Sequence, residues 1–250
     1  MKRRRKRITI IIITILILML LCYPFTSRLH SQRLIKAIRD EDIEKVEAIL
    51  ESGVDPNRTD VPISKFWYFV ETSAQRPLSV ACETHNYEII QLLLKYGATT
   101  EYVEDAGPTP LMSTVWTYHS TNLEIVKLLL QHGADPSTDF SDSQLPVFVA
   151  AYNWPKNFSI EPPAYDEEIA KNITETVILL LGDSDINITT YNGDSLLHNA
   201  TQKQNLYLVE YLINAGCDTT LRNNAGKTAL DYALETQNEK LIALFDNQDN

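Results

Sequence analysis

Residues 194–230 read DSLLHNATQKQNLYLVEYLINAGCDTTLRNNAGKTAL and contain one complete structural unit and the start of the next. Two apolar segments separated by a polar turn lead to a glycine, and after a short loop the same order begins again. Leu197 and Leu230 occupy equivalent places 33 residues apart. Self-similarity at a fixed period of this size is typical of repeat architectures. The stretch therefore predicts a chain built from stacked copies of one unit.

The pattern within the unit predicts two antiparallel helices. Ser195 and Thr228 stand where a side-chain oxygen can accept hydrogen bonds from the free backbone N–H groups of a helix start. The apolar residues that follow recur at helical spacing. Gly216 can adopt the left-handed conformation that ends the second helix. One such hairpin has an apolar face that it cannot bury alone, so the units are expected to stack into a solenoid.

These residues resemble ankyrin repeats, whose signature is Thr-Pro-Leu-His-x-Ala. The resemblance implies an all-α ankyrin-repeat solenoid that binds a protein partner. It also implies that the hairpin loops and first helices line a concave binding face. His198 fills the signature histidine position, where ankyrin histidines hydrogen-bond between neighbouring loops.

Six units account for nearly all of the chain after residue 33. The first lacks the Thr-Pro opening, as a terminal capping repeat can. Arg76 occupies the cap position of the second unit, where it offers no acceptor for the helix start. The third has the full Thr109-Pro110-Leu111 opening, with proline at the first helical position. The predicted repeats are about 34–57, 76–107, 109–144, 145–192, 194–226 and 227–246, followed by a tail at 247–250.

Three insertions interrupt the period. The equivalent positions after the second helices, Asp55, Thr99, Asp135, Asp185 and Asp218, are separated by 44, 36, 50 and 33 residues. The surpluses over 33 place about 11 extra residues within 58–76, three near 117–121 and 17 within 152–168. The first insertion enlarges a hairpin loop and is expected to project along the concave face. The other two lie between the helices of one repeat, on the opposite edge.

Aromatic residues are concentrated in and beside these insertions. All three tryptophans of the chain are there, although a solenoid core does not require them at those places. Aromatic anchors ringed by polar groups are typical of protein interface hot spots. The alternative is that the rings fold back and seal each insertion against its own repeat. The candidate partner-binding residues are Phe66, Trp67, Tyr68, Phe69, Trp116, Tyr118, Tyr152 and Trp154.

The first 33 residues predict a membrane anchor. A basic segment at 1–7 precedes an apolar run at 8–25, which at helical rise spans roughly 27 Å and so reaches across the hydrocarbon layer. A cleaved signal peptide is the competing interpretation, but small residues at a cleavage site are poorly placed. The basic end is predicted to be cytoplasmic, with a juxtamembrane linker at 26–33. The repeats would then face an extracytoplasmic space, most simply the periplasm of a bacterium.

Charge and cysteine content argue against nucleic-acid binding and against a disulfide-stabilised fold. The chain carries 22 basic and 33 acidic residues, and eight of the basic residues lie in 1–33, where there is no acidic residue. Residues 34–250 therefore have a net charge of −19, which would repel nucleic acid. Cys82 and Cys217 belong to repeats too far apart for one disulfide and are predicted to be small core residues. Cys22 lies in the apolar run.

No pattern in the sequence marks a catalytic, metal or cofactor site. Gly226-Lys227-Thr228 lacks the earlier glycine of a phosphate loop, because Leu221 stands there. The segment from Asp183 begins with calcium-loop spacing, but Ile188 replaces the required glycine. The five histidines lack ligand spacing, and no nucleophile motif is present. We therefore predict a protein that is not an enzyme and that has no metal, cofactor or small-molecule substrate.

The sequence predicts a membrane-tethered interaction module. Its tether would be residues 8–25, and its partner would be a protein gripped by the concave face and the aromatic insertion at 61–70. A scaffold or assembly factor for an envelope protein is the first hypothesis. The alternative is an immunity or inhibitor protein that neutralises a membrane-attacking toxin or enzyme, because an acidic surface suits the masking of a basic effector.

Overall fold

The structure is a computed structural model that describes residues 31–58, 76–101, 108–116, 119, 122–138, 145–152 and 167–246. Within these ranges all regular secondary structure is helical, apart from one isolated antiparallel bridge between Thr189 and Ser195. The predicted all-α solenoid is therefore confirmed. The described residues fall into two compact units, the first ending at Thr99 and the second containing Thr100, Glu101 and the residues from Pro108 onward.

The first unit contains four described helices. They are α1 (31–39), α2 (Ile43–Glu51), α3 (Pro77–Thr84) and α4 (Tyr87–Lys95). Helix α4 packs against both α2 and α3. Residues 31–33, which the sequence assigned to the predicted linker at 26–33, belong to α1, and Ser31 is fully buried. The helix therefore starts at least three residues before the predicted Leu34.

The second unit contains eight described helices in two layers. The first helices of its hairpins are α5 (Pro110–Val115), α7 (Pro146–Tyr152), α9 (Leu196–Gln202) and α11 (Ala229–Thr236). The second helices are α6 (Asn122–Gln131), α8 (Glu167–Leu181), α10 (Leu206–Asn214) and α12 (Glu239–Asp246). Helix α9 packs against α7, α10 and α11, and α10 packs against α8 and α12. Each hairpin thus buries its apolar face against its neighbours, as the period requires.

The predicted helix starts are confirmed in detail. Ser195 and Thr228 each form a capping box, in which the side chain accepts from the third residue of the helix and that residue's side chain accepts from the cap N–H. Thr109 caps α5 ahead of a proline at the first position. Arg76 makes no side-chain cap bond. Its guanidinium is buried and donates instead to the Thr99 carbonyl at 3.1 Å, a role that the sequence did not suggest.

The loops after the second helices repeat one hydrogen-bonded turn. Asp55, Asp135, Asp185 and Asp218 each accept a hydrogen bond from the backbone N–H two residues later, at 2.8–2.9 Å. This is the local turn that short acidic side chains favour. In the second unit, Asn187 then accepts from the Asp218 N–H at 2.7 Å and ties two successive repeats together. The positions chosen from the 33-residue period are therefore structurally equivalent.

The residues that would test the membrane prediction lie outside the described part of the chain. The anchor at 8–25 and the basic segment at 1–7 precede residue 31. Among the residues that the structure describes, no helix combines the length and apolar character needed to cross a bilayer.

Candidate partner-binding groove

A groove runs across the first helices of the second unit and has a volume of about 550 Å³. Trp116 at the end of α5, three residues of α7 and two of α9 line it along the helices, and the hairpin loop before α9 closes one end. The lining residues of this aromatic groove are Trp116, Phe148, Val149, Tyr152, Thr190, Tyr191, Asn192, Asp194, Asn199 and Gln202.

Three aromatic side chains of the groove are presented to solvent. Trp116 is 50% exposed, Tyr152 is 49% exposed and Tyr191 is 69% exposed. Large apolar side chains in a solenoid are normally buried, as that of Phe148 in the same groove is. Several half-exposed rings in one depression leave aromatic surface that another molecule can contact. The groove is therefore shaped to contact another molecule.

The loop that carries Tyr191 is held in place by the following repeat. The Asn224 backbone N–H donates to the Asn192 carbonyl at 2.9 Å, and the Asn224 side-chain amide donates to the Tyr191 carbonyl at 3.1 Å. Gly193 has φ +75°, and a Cβ atom there would meet Asn224 Oδ1 at 3.0 Å and its backbone N at 3.1 Å. Only glycine allows this close approach at this conformation. The backbone of the tip is thus positioned before any partner arrives.

A cation already contacts one of the groove's rings. The Lys203 Nζ atom, from the residue that follows α9, lies 3.7 Å from the centroid of the Tyr152 ring. This is the shortest of the described cation–π contacts, and the others in the same unit measure 4.9 and 5.0 Å. The ring face is electron-rich and attracts positive charge. The Tyr152 ring, which lines the groove, therefore accepts an ammonium group on one of its faces.

Beside the groove, His198 links two successive hairpin loops. Its Nδ1 accepts from the Ser195 N–H at 3.1 Å, so Nε2 carries the proton and donates to the Lys227 carbonyl at 3.0 Å. The histidine role that the family resemblance implied is therefore confirmed. Ser195 Oγ lies 2.8 Å from Nδ1, but both side chains are buried and the distal nitrogen faces a peptide carbonyl and not a carboxylate. The Ser195–His198 pair stabilises the loops and does not present a nucleophile to solvent.

Most described basic residues of the second unit are paired with carboxylates. Lys127 pairs with Glu124 at 3.0 Å, and Lys227 pairs with Glu235 at 2.6 Å. Lys171 pairs with Glu167 at 2.8 Å, and Tyr207 also donates a hydrogen bond to that carboxylate. These exposed pairs contribute little to stability. Because each of these lysines is offset by a glutamate, few described basic groups of this unit remain uncompensated. The net charge of the unit stays acidic.

Only two of the eight predicted partner-binding residues belong to the described part of the chain. Trp116 and Tyr152 are exposed and line the same groove, although the insertions beside them were placed on the opposite edge from the binding face. The reason is that each residue ends a first helix, and these helices form the floor of the groove. The others, Phe66, Trp67, Tyr68, Phe69, Tyr118 and Trp154, lie outside the described residues.

Tyr191 and Lys203 were not among the residues predicted from the sequence to bind a partner. A tyrosine at the tip of a hairpin loop, followed by Asn192-Gly193, is a detectable signal, because a turn tip is exposed and an aromatic residue there has no core to enter. The position of Lys203 over Tyr152 had no sequence signal, since the two residues belong to different repeats.

Stacked helical hairpins with exposed aromatic residues on their first helices define a repeat protein of the protein-binding class. The family model described as "Ankyrin repeats (3 copies)" matches residues 34–139 and 168–250. The chain therefore belongs to the ankyrin-repeat family.

Two viral proteins illustrate the similarity to curated relatives. The chain is 30% identical over 123 residues to the putative ankyrin repeat protein FPV219 of fowlpox virus, covering 44% of this chain and 28% of that protein. It is 24% identical over 227 residues to the ankyrin repeat domain-containing protein OPG023 of cowpox virus, covering 83% of this chain and 33% of that protein. The chain thus spans about a third or less of these relatives.

A similar fold occurs in a solved complex. One chain of the Bd0816 predatory endopeptidase from Bdellovibrio bacteriovorus in complex with immunity protein Bd3460 superposes with a TM-score of 0.63. The match covers 86% of this chain and 97% of that chain at 23% identity. At this level of identity the likeness concerns the fold.

Proposed function

We propose that the protein captures a protein partner in the aromatic groove and acts as a scaffold or assembly factor for an envelope protein. The observation that carries this proposal is the exposure of Trp116, Tyr152 and Tyr191 in one groove whose loop wall is already fixed. Rigid aromatic side chains provide large contact area at low conformational cost, and such side chains dominate interface energetics.

We further propose that residues 8–25 tether this module to a membrane, with the N-terminus in the cytoplasm and the repeats outside it. The support is the sequence pattern of a basic segment followed by an apolar run long enough to span the hydrocarbon layer. A reporter fused after Asn250 tests the orientation. Alkaline phosphatase activity with no fluorescence from a fused green fluorescent protein is expected, and the reverse pattern would overturn the proposal.

Comparative affinity capture tests the groove. The full chain in detergent is used as bait beside a Trp116→Ala/Tyr191→Ala variant, and captured proteins are quantified by mass spectrometry. Proteins retained by the wild type and lost by the variant are expected to include the partner. A matched variant, Tyr207→Ala, removes a tyrosine from the second-helix surface and is expected to retain the partner. Equal capture by all three baits would place the interface elsewhere.

The second candidate function is that of an inhibitor or immunity protein. It is supported by the fold shared with a chain of an endopeptidase–immunity protein complex and by the net charge of −19 on residues 34–250. The two functions differ in what loss of the protein does. Deletion of an assembly factor is expected to lower the activity of its partner, whereas deletion of an inhibitor raises the partner's activity or makes it toxic to the cell.

A further inference from the structure

We propose that the aromatic groove recognises a basic side chain, an arginine or lysine on an exposed segment of the partner, and that Lys203 occupies this cation position in the free protein. The inference rests on the proposed function, because it assigns a chemistry to the partner that the groove captures. It concerns Tyr152, Lys203 and the polar residues around them.

One of the groove's rings, that of Tyr152, already contacts a cation. The Lys203 ammonium group lies 3.7 Å from the Tyr152 ring centroid, close enough for a direct cation–π interaction. An intramolecular ligand of this kind shows which chemistry a surface accepts, since the lysine stem is long and could extend into water instead. Tyr152 is half exposed, so an arriving guanidinium group can compete for the same face.

The groove also has polar lining residues that can accept hydrogen bonds. Asp194 supplies a carboxylate, and Asn192, Asn199 and Gln202 supply amide oxygens that can accept from an ammonium or guanidinium group. None of the lining residues is basic. One Asp194 oxygen accepts from the Asn223 side-chain amide at 2.7 Å, which holds the carboxylate at the rim of the groove.

The unit that contains the groove is acidic. Residues 108–250 contain 19 acidic and seven basic residues, a net charge of −12, and Lys127, Lys171 and Lys227 are each paired with a glutamate. Such a surface attracts and orients a basic segment before contact. An acidic segment would be repelled over most of the same approach. Charge complementarity thus agrees with the local chemistry of the groove.

The inference also assigns a role to Lys203 in selecting the partner. In the free protein its ammonium group covers the Tyr152 face and adds a like charge beside an incoming arginine. Binding must therefore displace Lys203 into water. Its removal is expected to tighten the binding of a basic segment, although most substitutions in a binding site weaken it.

The test uses two dye-labelled peptides, acetyl-(Gly-Arg)₄-amide and its citrulline counterpart, which keeps the planar shape and loses the charge. Binding to the full chain in a zwitterionic detergent is followed by fluorescence polarisation. The arginine peptide is expected to bind at least about fivefold more tightly than the citrulline peptide. Tyr152→Phe is expected to retain this preference, because the ring face remains. In Tyr152→Leu, the preference for the arginine peptide over the citrulline peptide is expected to fall about two- to fivefold.

Lys203→Ala is compared with Lys240→Ala, which removes the same charge from an exposed position on α12. Lys203→Ala is expected to raise the affinity for the arginine peptide about two- to fivefold above that of Lys240→Ala. Equal binding of the two peptides, equal affinities of the two lysine variants, or an arginine preference that survives Tyr152→Leu would overturn the inference. The last result would show attraction by the acidic surface as a whole.

Failure of this inference can be distinguished from failure of the proposed function. If Trp116→Ala/Tyr191→Ala abolishes partner capture while the peptides bind equally, the groove is the interface and its specificity is not for a cation. If capture survives those substitutions, the groove is not the interface and the peptide results cannot rescue the proposed function.

Discussion

Substitution of Gly193 by alanine is expected to destabilise the protein more than the same substitution at Gly226. The two glycines lie 33 residues apart, occupy the same place in successive hairpin loops and share φ +75°. Alanine in this left-handed region costs about 1–2 kcal/mol at either position. The comparison therefore cancels the backbone cost that the two sites have in common.

The surroundings of the two glycines differ. A Cβ atom at Gly226 meets nothing within 4 Å, whereas at Gly193 it comes within 3.0–3.2 Å of Asn224 and Asn223 atoms, two of them backbone. The loop must then shift by a few tenths of an ångström against hydrogen bonds of 2.9 and 3.1 Å between Asn224 and the Tyr191–Asn192 tip. Overpacking of this kind costs about 1–3 kcal/mol. Gly193→Ala should therefore lose about 2–5 kcal/mol in total, and Gly226→Ala about 1–2 kcal/mol.

Urea unfolding of the full chain in detergent, followed by circular dichroism at 222 nm, measures the difference. A lower midpoint for Gly193→Ala at an unchanged slope is expected, since the slope reports the surface exposed and not the stability. Gly193→Ala should also weaken partner capture, because Tyr191 moves with the loop, and Gly226→Ala should leave it intact. Identical midpoints for the two variants would refute the claim that the contact with Asn224 fixes the tip.

Three further predictions concern stability and reactivity. His198→Ala is expected to lower the free energy of unfolding by about 2–4 kcal/mol, because the Lys227 carbonyl and the buried Ser195 N–H each lose a hydrogen-bond partner. A loss below about 1 kcal/mol in thermal unfolding would contradict the role of this histidine. Burial and, to a smaller extent, the charge of Asp218 raise the pKa of the Cys217 thiol to about 11. In a Cys22→Ser/Cys82→Ser variant, alkylation of Cys217 by iodoacetamide at pH 8 is therefore expected to be much slower in the folded protein than in the protein unfolded in urea. Equal rates in the two states would disprove the burial of Cys217. Hydrogen bonds from Ser137 and Thr220 lower the pKa values of Asp135 and Asp218, so these carboxylates stabilise the fold above about pH 4 and lose this contribution as the pH falls through their folded-state pKa values. The Asp135→Asn/Asp218→Asn variant should therefore lose less stability between about pH 6 and pH 3 than the wild type does. An equal loss of stability in the two proteins would refute this assignment.

The fold was predictable from the sequence because its determinants are local. A 33-residue period, cap residues at Ser195 and Thr228 and a glycine after each second helix except the last specify one hairpin. Copies of that hairpin can bury their apolar faces only against one another. The start of α1 was placed too late, because the periodic apolar pattern begins at Leu34 while the helix already includes Ser31. Helix boundaries depend on packing that a pattern does not contain.

The groove was only half predictable, because it is built from residues of different repeats. Trp116 and Tyr152 were predicted to bind a partner because they are aromatic residues beside insertions. The exposure of Tyr191 could have been predicted from the turn that carries it. Their meeting in one depression depends on α5, α7 and the loop before α9 lying side by side. The period predicts that order, but the direction of each side chain at the end of a helix depends on where that helix stops.

The two walls of the groove are ordered by different means, and this bears on how it would bind. Trp116 and Tyr152 stand at the ends of helices whose own repeats hold them. The backbone of the Tyr191 loop is held by Asn224, which belongs to the next hairpin loop and does not line the groove. The loop carrying Asn224 is in turn joined to α9 through His198 and the Lys227 carbonyl. Positioning of the Tyr191 loop therefore depends on a second hairpin loop that does not line the groove, so substitutions in that loop can change partner affinity while every lining side chain remains in place.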